Sequence, residues 1–254
     1  MKWMPLLPMA LLVGFALLPA NPTAEPWSAA GLLGADEFGR DQLLVVLSAT
    51  GRSMATGILL AGVTILLSLW LSFLLIFRKS RILAGVQMSM TQVLESVPAM
   101  IWVLAAFSAS GGSSPIMTAV IFVVAMMPFA VTIISGEFAR LAGLPYMEAA
   151  QLLGVPAHRQ LRRHLLPNSG GVLGPLFIQI IGLAIAIQGA IGLLGFANRT
   201  DVDLGILLLR GKENVAVHPE LLLSTLVSLG LLYLYLNWLR IRFDGPAATS
   251  RGFA

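Results

Sequence analysis

The sequence contains no cysteine. This excludes disulfides, thiolate-bound zinc and a cysteine nucleophile, and it says nothing about redox compartment. Charge is also scarce. Charged residues make up 11% of the 254 positions, against about 25% in a soluble domain, too few to cover a water-facing surface. Histidine occurs only as His158, His164 and His218. His158 and His164 do not share a helix face, so no metal-ligand set forms. No paired carboxylates and no Ser/His/Asp set converge, which leaves catalysis by this chain without support. A phosphate-binding loop is missing as well. Gly205 to Gly211-Lys212-Glu213 has five intervening residues and a Glu in place of the hydroxyl, where the loop needs four residues and Ser or Thr. Any ATP-driven work must therefore draw on another chain. No basic cluster is interleaved with aromatics, which excludes the usual nucleic-acid surface.

What is present is mostly apolar. Hydrophobic residues are 57% of the chain and mean hydropathy is +0.86. Several runs reach the roughly 20 residues that cross a bilayer as helix. These properties describe an all-α integral membrane protein of about six transmembrane helices, near 4–20, 53–77, 82–108, 115–135, 171–196 and 219–239. The first run has two open readings. It is either a retained span or a removed leader, with Lys2 as its basic end and Pro22-Thr23-Ala24 near the cleavage point.

Orientation follows from the Arg and Lys bias. With the N-terminus inside, eleven basic residues fall in the inner segments and five in the outer ones. Both termini and the 137–168 insert are then expected in the cytoplasm. The outer segments are 21–52 and 197–218. Neither is large enough for a separate domain, so residues 1–254 read as one transmembrane domain. Its parts are a first span (1–20), an outer segment (21–52), a five-span core (53–239) and a cytoplasmic tail (240–254).

The insert is the most informative stretch. Pro145 suits a first helical turn, where its missing N–H costs nothing. Tyr146 to Leu153 reads as two turns, with Glu148 placed to complement the helix dipole. Gly154 suits a left-handed end. Pro156 begins a second helix running to about His164, and Pro167 is expected to close it. Met147, Ala150 and Gln151 share one face, and small Ala149 and Ala150 permit close approach of another protein. Arg159, Arg162 and Arg163 face either lipid phosphates or a partner's carboxylates. On residue chemistry alone the insert is either a docking surface or an amphipathic helix resting on headgroups.

Tyr146-Met-Glu148-Ala149-Ala150-Gln151-Leu-Leu-Gly154, followed by His164-Leu-Leu-Pro167-Asn168, resembles the EAA loop of ABC importer permeases. Gly34-Ala-Asp36-Glu37-Phe-Gly-Arg40-Asp41 resembles the segment after the first span in the dipeptide/oligopeptide/nickel branch, with Ala35 where that segment has Thr. Ser96-Val-Pro98-Ala and Leu204 to Gly211 resemble two further segments of that branch. The resemblance covers about Leu33 to Asp244. It implies the type I ABC importer permease fold. It also implies that Tyr146, Met147, Glu148, Ala149, Ala150, Gln151, Gly154, His164 and Pro167 couple the chain to an ATPase. The implied partners are two ATPase subunits holding ATP and Mg, a second related permease and an extracytoplasmic substrate-binding protein, in a bacterial inner membrane. The implied cargo is a small peptide, a metal chelate such as nickel's, or a related solute.

Two further groups stand out. Gln92, Glu95 and Trp102 lie on one helical stripe with Met88 and Ala99. An ionised Glu95 in mid-span costs at least about 2.5 kcal/mol, so the stripe either lines the substrate path or Glu95 is neutral or bonded to a neighbour. Asp36, Glu37, Arg40 and Asp41 are placed for outer-face partner contacts. The rival to an ATP-driven permease is an ion-gradient-driven transporter or channel using Glu95.

Overall fold

The computed structural model describes residues 7–18, 21–29, 31–78, 81–98, 101–102, 105, 115–196 and 202–243. Among them the regular structure is helical, apart from two isolated β-bridges, Pro22 with Arg40 and Ala35 with Asp41. In chain order the helices are α1 (Leu7–Gly14, followed by a 3-10 turn Phe15–Leu17), α2 (Gln42–Arg78), α3 (Arg81–Glu95), α4 (Pro115–Ala142) and α5 (Pro145–Leu152). Next come α6 (Ala157–Gln160), a π-helical turn Leu161–Leu165 and α7 (Leu166–Asn168). The last three are α8 (Gly170–Leu193), α9 (Leu204–Glu213) and α10 (Pro219–Phe243).

Four stretches among the described residues are long and apolar enough to cross a membrane: Gln42–Phe77, Ile116–Ala142, Gly170–Leu193 and Pro219–Phe243. The other two expected spans look different. Of the first, the described helical residues, Leu7–Leu17, rise about 16 Å against a hydrocarbon core of about 30 Å, and residues 4–6 and 19–20 of that expected span lie outside the described residues. In the third, α3 ends at Glu95 with a bend at Ser96–Val97, and Ile101, Trp102 and Ala105 beyond it are again helical. Pro98 is the cause: it lacks an N–H and pushes Val97 out of the helical region. Residues 99–100, 103–104 and 106–108 of that expected span lie outside the described residues. α2 also begins well before the expected Ser53. Asp41 Oδ1 accepts the Leu43 backbone N–H at 2.9 Å, which caps the extended helix.

Contacts gather the chain into two compact units. The first comprises residues 1–59, 107–114 and 181–239. Its packing depends on small residues. Gly192 of α8 lies against Gly205 of α9, so a Cβ on either would overlap the other helix's backbone. Backbones that close require residues without side chains. Polar side chains tie the same unit together. Ser53 Oγ accepts the Leu204 N–H (3.1 Å), the Gln42 amide donates to Ser224 Oγ (3.1 Å), and the Tyr233 hydroxyl donates to the Gly182 carbonyl (2.7 Å). Asp203 caps α9 by accepting the Ile206 N–H at 2.9 Å.

The second unit comprises residues 60–106, 115–180 and 240–254. Here Thr64, Ser68 and Ser72 are buried one turn apart on α2. Ser68 Oγ donates to the Met127 carbonyl and Ser72 Oγ to the Val131 carbonyl, each at 3.4 Å. The hydroxyls thus form a ladder against the backbone of α4. Gln87 of α3 reaches Thr132 of α4 at 3.3 Å.

The glycine contact in the first unit leads to an expectation. Gly205→Ala should destabilise the protein by about 1–3 kcal/mol, the usual cost of overpacking. A lowered thermal unfolding midpoint in detergent would show it, and an unchanged midpoint would count against the backbone contact.

Candidate functional site

The segment between α4 and α8 is built outward from one buried face. The Leu144 backbone is extended and Pro145 takes the first turn of α5, with Glu148 exposed in that turn. Met147 is fully buried and Ala150 nearly so. Both therefore turn away from solvent. This corrects the expectation that they face a partner. Helical rotation explains the difference: Leu152 lies five residues, about 500°, from Met147 and so points the opposite way.

The outward surface is Glu148, Ala149, Gln151, Leu152 and Leu153, with Tyr146 partly exposed. Leu152 is 90% and Leu153 82% exposed. The sequence reading passed over these two leucines. The sequence signal was two adjacent large apolar residues at the end of a short helix.

The helix ends in a Schellman motif. The Val155 N–H bonds the Ala150 carbonyl and the Gly154 N–H bonds the Gln151 carbonyl, each at 3.0 Å. Gly154 sits at φ +71, a conformation that glycine adopts without penalty. Gln160 is buried and its amide donates to the Val155 carbonyl at 2.6 Å, locking the turn from below. The chain then passes through the π turn Leu161–Leu165. The His164 ring lies 6.0 Å from the Tyr146 ring, tilted by 46°, so two expected site residues meet. The Asn168 side chain donates to the His164 carbonyl at 2.7 Å. Pro167 does not close the second helix. It lies in the first turn of α7, where its missing N–H is tolerated, and helix resumes at Gly170. Arg159, Arg162 and Arg163 are exposed. At the end of α4, Arg140 grips Glu137 through two contacts of 2.7 Å.

The remaining expected residues fare differently. Gln92 is exposed on α3 and Glu95 is its last residue, with a side chain outside the described ones. Trp102 lies beyond the bend, and its indole Nε1 is buried without a hydrogen-bond partner among the described residues. The regular stripe through these three is therefore interrupted at Ser96–Val97. In the first unit, Asp36 is buried, which corrects its expected place in partner contacts. Its Oδ1 accepts the N–H groups of Phe38 (3.0 Å) and Arg40 (2.9 Å), and its Oδ2 accepts Arg40 Nε (2.7 Å). Asp36 and Arg40 thus satisfy each other within the turn. Glu37 approaches Arg210 at 3.4 Å, and the Phe38 ring lies 4.7 Å from the Arg40 guanidinium and 4.9 Å from that of Arg210. Asp41 is occupied as the cap of α2. No group of three His, Asp or Glu side chains among the described residues can hold a metal.

The sequence model of the family described as the binding-protein-dependent transport system inner membrane component matches residues 64–244. The chain belongs to this family. The match takes in the whole segment from α4 to α8, and with several helices of membrane-spanning length the chain is a multi-pass membrane protein. Two curated relatives are similar. The probable D,D-dipeptide transport system permease protein DdpC of Escherichia coli (strain K12) is 27% identical over 198 residues, covering 75% of this chain and 63% of that protein. The oligopeptide transport system permease protein OppC of Mycoplasma pneumoniae (strain ATCC 29342 / M129 / Subtype 1) is 30% identical over 150 residues, covering 56% and 38%. The chain spans less than two thirds of the length of either relative.

Gly154 supplies a prediction for this family member. Gly154→Ala forces a side chain into the left-handed region at about 1–2 kcal/mol. Amide exchange at Gly154 and Val155 should accelerate roughly tenfold or more, read by hydrogen exchange with mass spectrometry. Unchanged protection would mean that the turn does not depend on the glycine.

Proposed function

We propose that the chain is the transmembrane permease subunit of an ATP-driven importer, coupled to separate ATPase subunits through the 146–167 segment. The observation that carries this is the outward pair Leu152 and Leu153 on a helix whose opposite face is buried. A side chain of that size gains about 1.5–3 kcal/mol when it leaves water. A partner with an apolar socket would collect that from both leucines. The acidic start of α5 and the exposed arginines of α6 and the π turn would fix its orientation, since charge complementarity sets register more than affinity.

In this reading ATP and Mg are held by two partner ATPases, and this chain has no catalytic role of its own. Closure of the ATPases would move α5, and the bundle would shift between two packings open to opposite sides of the membrane. A second, related permease and an extracytoplasmic substrate-binding protein complete the assembly. Both termini and the 137–168 segment lie in the cytoplasm, as the Arg and Lys bias supports. The cargo is of the small-peptide class. The named substrates of the two relatives support that class, and metal chelates remain the related solutes to compare against it.

The test replaces both leucines, Leu152→Asp with Leu153→Asp, and follows two quantities. Co-purification of the ATPase should fall by at least tenfold, and peptide uptake should fall with it while membrane insertion is unchanged. Normal recovery of the ATPase with the double variant would overturn the docking role.

A further inference from the structure

We propose that a groove between α1, α2 and α10 in the first unit is a binding site for one acyl chain of a membrane phospholipid carrying an ammonium headgroup. The groove encloses about 770 Å³ and is lined by aliphatic and aromatic side chains, among them Leu12, Phe15, Leu47, Leu223, Val227 and Leu231. That volume lies within the range of small-molecule sites, about 300–1,000 Å³.

The few polar atoms in the wall are already engaged. The Thr50 hydroxyl donates to the Val46 carbonyl at 2.7 Å and meets Ser228 Oγ at 2.7 Å. Ser224 Oγ donates to the Leu221 carbonyl at 3.0 Å and accepts the Gln42 amide at 3.1 Å. With those groups satisfied, the wall of the groove recognises hydrocarbon.

One end is different. Glu220, in the first turn of α10, lines the groove and contacts His218 Nδ1 at 2.8 Å. The His218 ring in turn stacks on Trp27 at 4.1 Å with the planes 7° apart. An aromatic and polar cluster at the end of an apolar helix is how a chain marks the membrane interface. The occupant is therefore an amphiphile, with its tail among the leucines and its head at Glu220. The carboxylate favours a headgroup bearing an ammonium over one with only negative charge.

Size decides between a lipid tail and a helix of another protein. α1 and its following 3-10 turn lie directly on Gly51, where a Cβ would overlap the Leu12 carbonyl oxygen and the Ala16 backbone nitrogen, so this wall sits hard against α2. A helix is about 10 Å across, whereas an acyl chain is slender enough to lie within the groove.

The full-length chain, purified together with whatever subunits accompany it, is supplied with phosphatidylethanolamine and analysed by native mass spectrometry. One retained lipid is expected. Val227→Trp fills the groove from an exposed position and should reduce retention at least tenfold. Leu234→Trp, equally exposed on α10 but outside the groove, should leave retention unchanged and so controls for folding. Equal retention by wild type and Val227→Trp would overturn the proposal. So would a preference for phosphatidylglycerol, or a photoreactive residue at position 231 that captures a polypeptide in place of lipid.

Discussion

Lipid offers no hydrogen bonds, and this chain must satisfy its own backbone. That constraint explains why the described regular structure is helix. Where helices start or stop, inside the spans or beyond them, the chain also supplies partners. At Asp41 and Asp203 a carboxylate takes up an orphan N–H at the start of α2 and α9. At Gly154 two crossed backbone bonds close the end of α5. At Ser96 the hydroxyl donates back to the Val93 carbonyl at 2.7 Å, one residue past the end of α3. Even the turn at 36–41 follows this rule, since Asp36 takes two backbone N–H groups and a guanidinium at once.

Much of this was legible in the sequence because composition and spacing report the environment directly. The four long helices follow from apolar runs, and the start and end of α5 follow from Pro145 and Gly154. The lengths of the spans were less legible. α2 reaches back to Gln42 through the polar residues Arg52, Ser48 and Gln42, which a hydropathy reading assigns to water. They stay helical because Ser48 bonds the Val45 carbonyl and Gln42 bonds Ser224, contacts invisible without the fold. The third expected span is interrupted at Ser96–Val97 for a local reason, Pro98 and its effect on Val97.

The candidate site divides the same way. Its position and turn chemistry were readable, but its outward face was not. A pattern such as Met147, Ala150 and Gln151 states which residues share a side and leaves open which side is buried. Tertiary packing settled that in favour of Met147 and Ala150 pointing inward. The outer turn shows the converse. Four charged residues close together looked available, yet Asp36 and Arg40 are held by one another, Asp41 holds a helix end and Glu37 approaches Arg210.

The hydroxyl ladder between α2 and α4 has a mechanical corollary. Ser68 and Ser72 stand one helical turn apart and face the carbonyls of Met127 and Val131, also one turn apart. A slide of one pitch, about 5.4 Å, would offer a serine the same kind of acceptor it had before. Threaded side chains resist such travel, because each knob must climb out of its hole. The two serines could re-form their hydrogen bonds one turn along, so the resistance to such a slide rests with the buried apolar side chains beside them, such as Phe122 and Met126.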